Sequence, residues 1–376
     1  MTKSKDIKRV LFLGIPLNGQ NGVAKAQLDL TKALQEKGIK VDNISAWPFH
    51  KTHTLTTDEN IAKVFSSIEE FLDFTKKEGT NYDIIHAHSH AWAPTLTPKQ
   101  EEVSKLKREL QRGLVYTFHS YKPSEYEAQR ELLGYTDRMI SLTPEGEATL
   151  YEVFHDIPNL SGNTRVIPLI INPEIVSDEE AKEIRESKFL SDKTILLYVG
   201  RISPEKGTRE LGPAFREIHR INQNVRLIVA GTESDRGERR ILEESLEEAI
   251  NATIFTGWVS EREVALYQRM SDLQIVPSKF EAYGLAGAYA VMQGIPIAVN
   301  PIPTLRRIYK LDTETPYGIP ISPEGTQEGI VKAFLEYMKD PSKAKEMIKK
   351  GKKEFLEECS PSRIVEKTLK VYRELI

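Results

Sequence analysis

The stretch "YVGRISPEKGTREL", residues 198–211, holds a strand end, a turn and a helix start in one short run. The apolar segment "TILLYVG" (194–200) feeds it without polar alternation, the pattern of a strand buried on both faces of a parallel sheet. The strand stops at Gly200, the turn carries Arg201 and Lys206, and Gly207 opens an amphipathic helix over 207–220. Two cations of different kind thus stand at the positive end of a helix dipole. Arg grips two phosphate oxygens at once, while Lys supplies a movable point charge. Their mutual repulsion is costly unless an anion lies between them. The plainer alternative is two solvated charges, one of them paired with Glu205.

The same alternation runs outward in both directions. Before it, strands fit 9–14, 40–45, 83–88, 114–119, 138–143 and 165–170, with helical patterns near 22–37, 60–77, 97–112, 124–134 and 145–154. After it, strands fit 225–231, 253–257, 273–278 and 295–300, with helices at 236–249, 261–270, 284–293, 326–339 and 341–357. Strand–helix alternation over the whole length predicts an α/β protein of two doubly wound, Rossmann-like domains. The expected boundaries are an N-terminal domain over 1–172, a charged linker over 173–192 and a second domain over 193–357. A C-terminal segment, 358–376, follows. Ligands of such sheets bind beyond the carboxyl ends of the strands, so the site is expected in a cleft between two facing domains.

Composition sets broad limits. The chain has 376 residues, 39% hydrophobic and 28% charged, with a net charge of -3. That is a globular mix with no overall attraction to nucleic acid. A lone cysteine, Cys359, rules out an internal disulfide and suits a reducing cytoplasm. The first apolar run is short and lacks a small-residue cleavage site, so a buried first strand is expected rather than a signal peptide. No segment approaches the length needed to span a bilayer.

Three other corners sit at strand ends. In "LGIPLNGQNGVAKAQ" (13–27) the glycines fit neither a Walker A loop nor G-x-G-x-x-G. What survives is a loop entering a helix at Gly22, whose free N–H groups can receive an anion or a sugar hydroxyl, or a plain strand–helix turn. In "FEAYGLAGAYAVMQGIPIAV" (280–299) a helix is entered through Glu281, Tyr283 and Gly284. Gly284 lets backbone approach a ligand closely, and Glu281 either accepts hydrogen bonds from sugar hydroxyls or merely favours the helix dipole. The third corner, "HAHSHAW" (86–92), places three histidines at alternate positions. Metal ligation there needs further ligands on later strands, and no acidic cluster accompanies His119 or His155. His119, ending the strand in "YTFHSYK", is either structural or a hydrogen-bonding group.

Taken together these corners resemble the retaining glycosyltransferases of family 4, nucleotide-sugar-dependent enzymes of the GT-B fold. "YVGRISPEKG" looks like that family's hhGRh-x-x-x-KG segment, and the region 254–299 looks like its donor-site half. "NYDIIHAHSHAW", "LVYTFHSYK" and "SPSRIVEKTLKVYREL" match in type and order. The likeness implies a hexosyl transfer in which Arg201 and Lys206 neutralise the donor diphosphate. It implies that Glu281 contacts the transferred sugar, assisted by backbone amides at Tyr283, Gly284 and Leu285. Gly22 would stand near the diphosphate, and His119 would hydrogen-bond the sugar or acceptor. The last helix would cross back to the first domain. Because no Asp-x-Asp occurs in the chain, no metal and no other cofactor is expected.

The sequence departs from the family pattern at Tyr289, which stands where a second Glu usually holds the ribose. It departs again at "PIPTLRRI" (301–308), which replaces a Gly-rich turn. These changes keep in view a non-catalytic protein that binds a glycan or a partner transferase. A metal hydrolase built on the histidines is a third alternative. Expected partners are a nucleotide sugar and a glycosyl acceptor, sugar, lipid-linked or small, and no nucleic acid. The location expected is cytoplasmic. Basic stretches at 105–112 and 349–355 leave peripheral contact with the inner membrane face open.

Overall fold

Strands that are apolar on both sides need cover on both sides, and the chain supplies it twice. The computed structural model describes residues 6–14, 22–47, 52–57, 60–88, 100–119, 126–158 and 160–376. They divide into two units, Met1–Ile170 with Cys359–Ile376, and Ile171–Glu358.

The first unit is built on β1 (Arg9–Leu13), β2 (Lys40–Trp47), β3 (Thr52–Thr57), β4 (Asn60–Phe65), β5 (Ile84–His88), β6 (Gly113–Phe118), β7 (Arg138–Ser141) and β8 (Thr164–Val166). Their order in the sheet is β4-β3-β2-β1-β5-β6-β7-β8. Neighbours from β2 to β8 pair in parallel, while β3 and β4 join antiparallel at one edge. The edge hairpin corrects the expected helix over 60–77. The helix is Ile68–Lys77, started by Ser67, whose hydroxyl accepts from the Glu70 N–H. Residues 60–65 instead pair with the Thr-rich β3, where β-branched side chains favour an extended chain. Val10, Phe12, Ile84, Val115 and Ile140 form one apolar face. The helix Pro361–Arg373 closes it with Ile364, Val365, Leu369 and Tyr372.

The second unit holds β9 (Thr194–Val199), β10 (Val225–Ala230), β11 (Thr253–Gly257), β12 (Leu273–Val276), β13 (Ile297–Val299) and β14 (Ile319–Pro320). All pair in parallel, in the order β11-β10-β9-β12-β13-β14. Side chains of β9 alternate between two cores. Leu196 and Tyr198 join Leu211, Phe215 and Phe334 on one face. Ile195 and Leu197 join Ala181, Leu190 and Met270 on the other.

That second face explains a further correction. Segment 173–192, expected as a linker, contains the helix Asp178–Ser187 and belongs to the second unit. Ser177 and Glu180 form a capping box at its start. Arg269 pairs with Asp178 at 2.6 Å, and Arg262 with Glu180. Its acids are those a helix N-terminus favours, and its apolar side covers the sheet.

In both sheets the order reverses once, between β1 and β5 and between β9 and β12. The carboxyl ends of strands flanking such a reversal are where open α/β sheets bind ligands.

Candidate functional site

At the second reversal the loops after β9 and β12 are pressed together. Gly207 has φ +74°, and a Cβ there would lie 2.2 Å from the Pro277 carbonyl oxygen. No other residue type fits this contact and this backbone at once. The Lys279 N–H donates to the Glu205 carbonyl at 2.8 Å. These backbone contacts set two side chains facing each other. Lys206 Nζ donates to Glu281 Oε1 at 2.7 Å, and both side chains are less than one-fifth exposed. Ser278 Oγ, buried, donates to the same oxygen at 2.9 Å. Asn300, at the end of β13, holds the turn from behind by donating from Nδ2 to the Ser278 carbonyl at 3.0 Å.

Arg201 takes a different course. Its guanidinium pairs with Glu205 and its side chain is 54% exposed. The two cations are therefore not left facing each other: each has a carboxylate. For Arg201 the plainer of the two sequence expectations describes its partner. For Lys206 the partner is Glu281, which joins two corners that the sequence presents separately. The Tyr198 hydroxyl donates to the Arg201 carbonyl and fixes the turn. Burial first, then the Glu281 carboxylate, pushes that phenol well above its usual pKa, so it stays a donor.

Gly284 caps the helix Leu285–Gln293 in the left-handed region, φ +91°, and no side chain caps the helix start. The first N–H groups of such a helix carry partial positive charge and lack internal acceptors. Beneath it Tyr309, fully buried, donates to the Gly284 carbonyl at 2.8 Å. A Cβ on Gly287 would meet the Tyr309 hydroxyl at 2.4 Å, and one on Gly284 would meet Leu305 Cδ2 at 2.6 Å. The unusual segment 301–308 is thus the support on which this helix end rests. Tyr283 and Tyr289 are both buried, and Leu285 is half-buried at the helix start.

Ser278, Asn300, Leu305 and Tyr309 escaped the sequence reading. Their partners lie on other turns, and only Ser278, beside the Glu281 motif, carried a local signal.

His119 and Gly22 belong to the first unit. Gly22 starts the helix Gly22–Glu36 and is exposed; residues 15–21 before it lie outside the described residues. His119 is buried at the end of β6, with Nε2 at 3.2 Å from His88 Nδ1. His86 spends both ring nitrogens on hydroxyls, Tyr372 and Thr117, each at 2.7 Å. His90 falls outside the described residues. Among those described, no group of three or more His, Cys, Asp or Glu is arranged to hold a metal ion. None of their helices is long and apolar enough to cross a membrane.

Solved proteins share this architecture. A sucrose-phosphate synthase from Thermosynechococcus elongatus matches over 98% of both chains with TM-score 0.76 and 19% identity. HepE from Anabaena, in complex with UDP and glucose, matches over 98% of this chain and 100% of its own, with TM-score 0.73 and 15% identity. The fold is the GT-B fold of glycosyltransferases, with two Rossmann-like α/β units in one chain. Residues 179–354, within the second unit, match the family described as glycosyl transferases group 1. An alpha-monoglucosyldiacylglycerol synthase from Streptococcus pneumoniae is 27% identical over 218 residues, 54% of this chain and 49% of that protein. An alpha-D-kanosaminyltransferase from Streptomyces kanamyceticus is 26% identical over 203 residues, 53% of this chain and 51% of that protein. The chain spans about half the length of these curated relatives.

Proposed function

We propose that this protein is a retaining, metal-independent glycosyltransferase moving a hexosyl group from a nucleotide sugar to a sugar, lipid-linked or small-molecule acceptor. The observation that carries this is the Lys206–Glu281 pair at the strand reversal, beside a helix start that no side chain caps. In the proposed cycle the donor diphosphate takes Lys206 and Arg201 from their carboxylates. The cations then face the negative charge that grows as the anomeric C–O bond breaks. Amides at Tyr283, Gly284 and Leu285 assist, and Gly22 is assigned to the diphosphate. Glu281, released, accepts from sugar hydroxyls and offsets the developing positive charge. The acceptor oxygen bonds to the face the diphosphate leaves, and its proton passes to the departing phosphate oxygen. His119 hydrogen-bonds the sugar or acceptor, and Tyr289 offers a phenol where an acid would hold the ribose. HepE solved with UDP-glucose, and a starch synthase domain bound to ADP and acarbose, support a nucleotide-sugar donor. The proposed setting is cytoplasmic, with peripheral membrane contact where the acceptor is lipid-linked.

The test is release of UDP, GDP or ADP from a panel of sugar nucleotides, with and without chelator. Release by wild type that survives chelator and disappears in Arg201→Ala and Lys206→Ala is expected. Tyr289 favours a second reading, binding without transfer. Saturable nucleotide or glycan binding with no release from any donor would establish it instead.

A further inference from the structure

His119 does not stand alone at its strand end. On β5 the two-residue period of a strand puts His86 and His88 on one face, and Thr117 of the neighbouring strand β6, with His119 just past its end, shares that face. Phe12 of β1 lies against both β5 rings, at centroid distances of 5.3 and 4.9 Å. Every member of this ladder is buried. At one end Tyr372, on the last helix, and Thr117 hold the two nitrogens of His86, so that ring has one orientation. Its face stacks on His88 with centroids 4.2 Å apart and planes 29° from parallel. His88 Nδ1 then meets His119 Nε2 at 3.2 Å.

We propose that His88 is a positioning residue that fixes which ring nitrogen of His119 carries its proton, its own ring held in place by the stack on His86 and through it by Tyr372. The role depends on His119 facing the sugar or acceptor, as proposed above. Burial pushes the pKa of His119 and of His86 down to about 3, so both rings are neutral at neutral pH. A neutral imidazole has one N–H and one bare nitrogen. In the short contact with His88, Nε2 of His119 either donates or accepts, and its Nδ1 must do the opposite. Whether His119 offers a ligand a donor or an acceptor is therefore decided at the far side of its own ring. A free histidine exchanges between the two forms; this one is held by its hydrogen bond to His88, whose ring is kept in place by the stack on His86 and the last helix behind it.

The tautomer is read by long-range ¹H–¹⁵N correlation on the full chain. Wild type is expected to show one His119 tautomer, His88→Leu a mixture, and Tyr372→Phe an intermediate population. His88→Asn, whose amide reaches close to the position of the imidazole Nδ1, is expected to restore a single form. In turnover, His88→Leu should lower kcat about tenfold, the worth of one hydrogen bond, with donor KM unchanged. Recovery is expected in His88→Asn. A packing role alone would lower the melting temperature and leave tautomer and kcat alone. An unchanged His119 tautomer in both His88→Leu and Tyr372→Phe overturns the proposal whatever the rates. Full kcat in His88→Leu beside a dead His119→Ala overturns it too, and leaves the transferase standing. A shifted tautomer in a protein that turns over no donor supports the positioning role and removes the transferase.

Discussion

Lys206 and Glu281 are 75 positions apart in the chain and 2.7 Å apart in space. Each lies in a segment whose local pattern marks it as interesting, yet only folding reveals that they meet. Lys206→Ala should cost about 1–3 kcal/mol of stability, because it leaves a mostly buried carboxylate with Ser278 alone. It should also weaken nucleoside diphosphate binding at least about tenfold. Denaturant titration and calorimetry check the two effects, and unchanged nucleotide affinity would remove Lys206 from the site. Gly284→Ala is a backbone test. Its φ of +91° and the 2.6 Å approach to Leu305 Cδ2 leave no room for a methyl group. A loss of about 1–3 kcal/mol is expected, read as a lowered urea midpoint. The glycine was legible in the sequence as a point of close approach. Leu305 and Tyr309, which make it obligatory, were not, because a buried leucine and tyrosine look like any core residues until the turn they touch is known.

Elements were legible in proportion to how strongly burial shaped them. β9 and β10 are buried on both faces and read as apolar runs, interrupted in β10 only by Arg226 near its start. β3 and β4 form an edge hairpin, and the Ile, Val and Phe of 60–65 blend into the apolar positions of the helix that follows. The acids of 178–180 suggested solvent, whereas the cover they bring depends on Ala181 and Leu190. Ser177→Ala separates a helix from a linker at this scale. Removing the capping box should destabilise the second unit by about 1 kcal/mol, seen as a shift in its unfolding midpoint. A true linker would show no shift.

For the whole molecule, two doubly wound α/β units followed from strand–helix alternation sustained along the chain, and the GT-B fold from the resemblance its corner motifs carry, while the internal bonding of the first unit did not. His86 and His119 are buried neutral, with pKa values near 3 against 6.5 for a free ring. Between those values the unfolded chain binds more protons than the folded one, so stability rises with pH. It is complete above about 6.5 and drains as pH falls toward 3, by up to about 1.4 kcal/mol per pH unit for each ring. Urea midpoints at pH 7, 6 and 5 should therefore fall in that order, less steeply in His119→Gln. A flat profile would mean that these rings are hydrated.

The first unit draws on two distant pieces of chain, residues up to 170 and then 359–376, while the second lies within one unbroken run. On a ribosome that difference sets an order of events. At ~5–20 residues per second, the nascent sheet carrying Phe12, Val115 and Ile140 waits on the order of 10 s for Ile364–Tyr372 to emerge and cover it. The later-made unit can finish folding inside that interval. Until then the earlier one presents an uncovered greasy face, and holdase chaperones are its natural company.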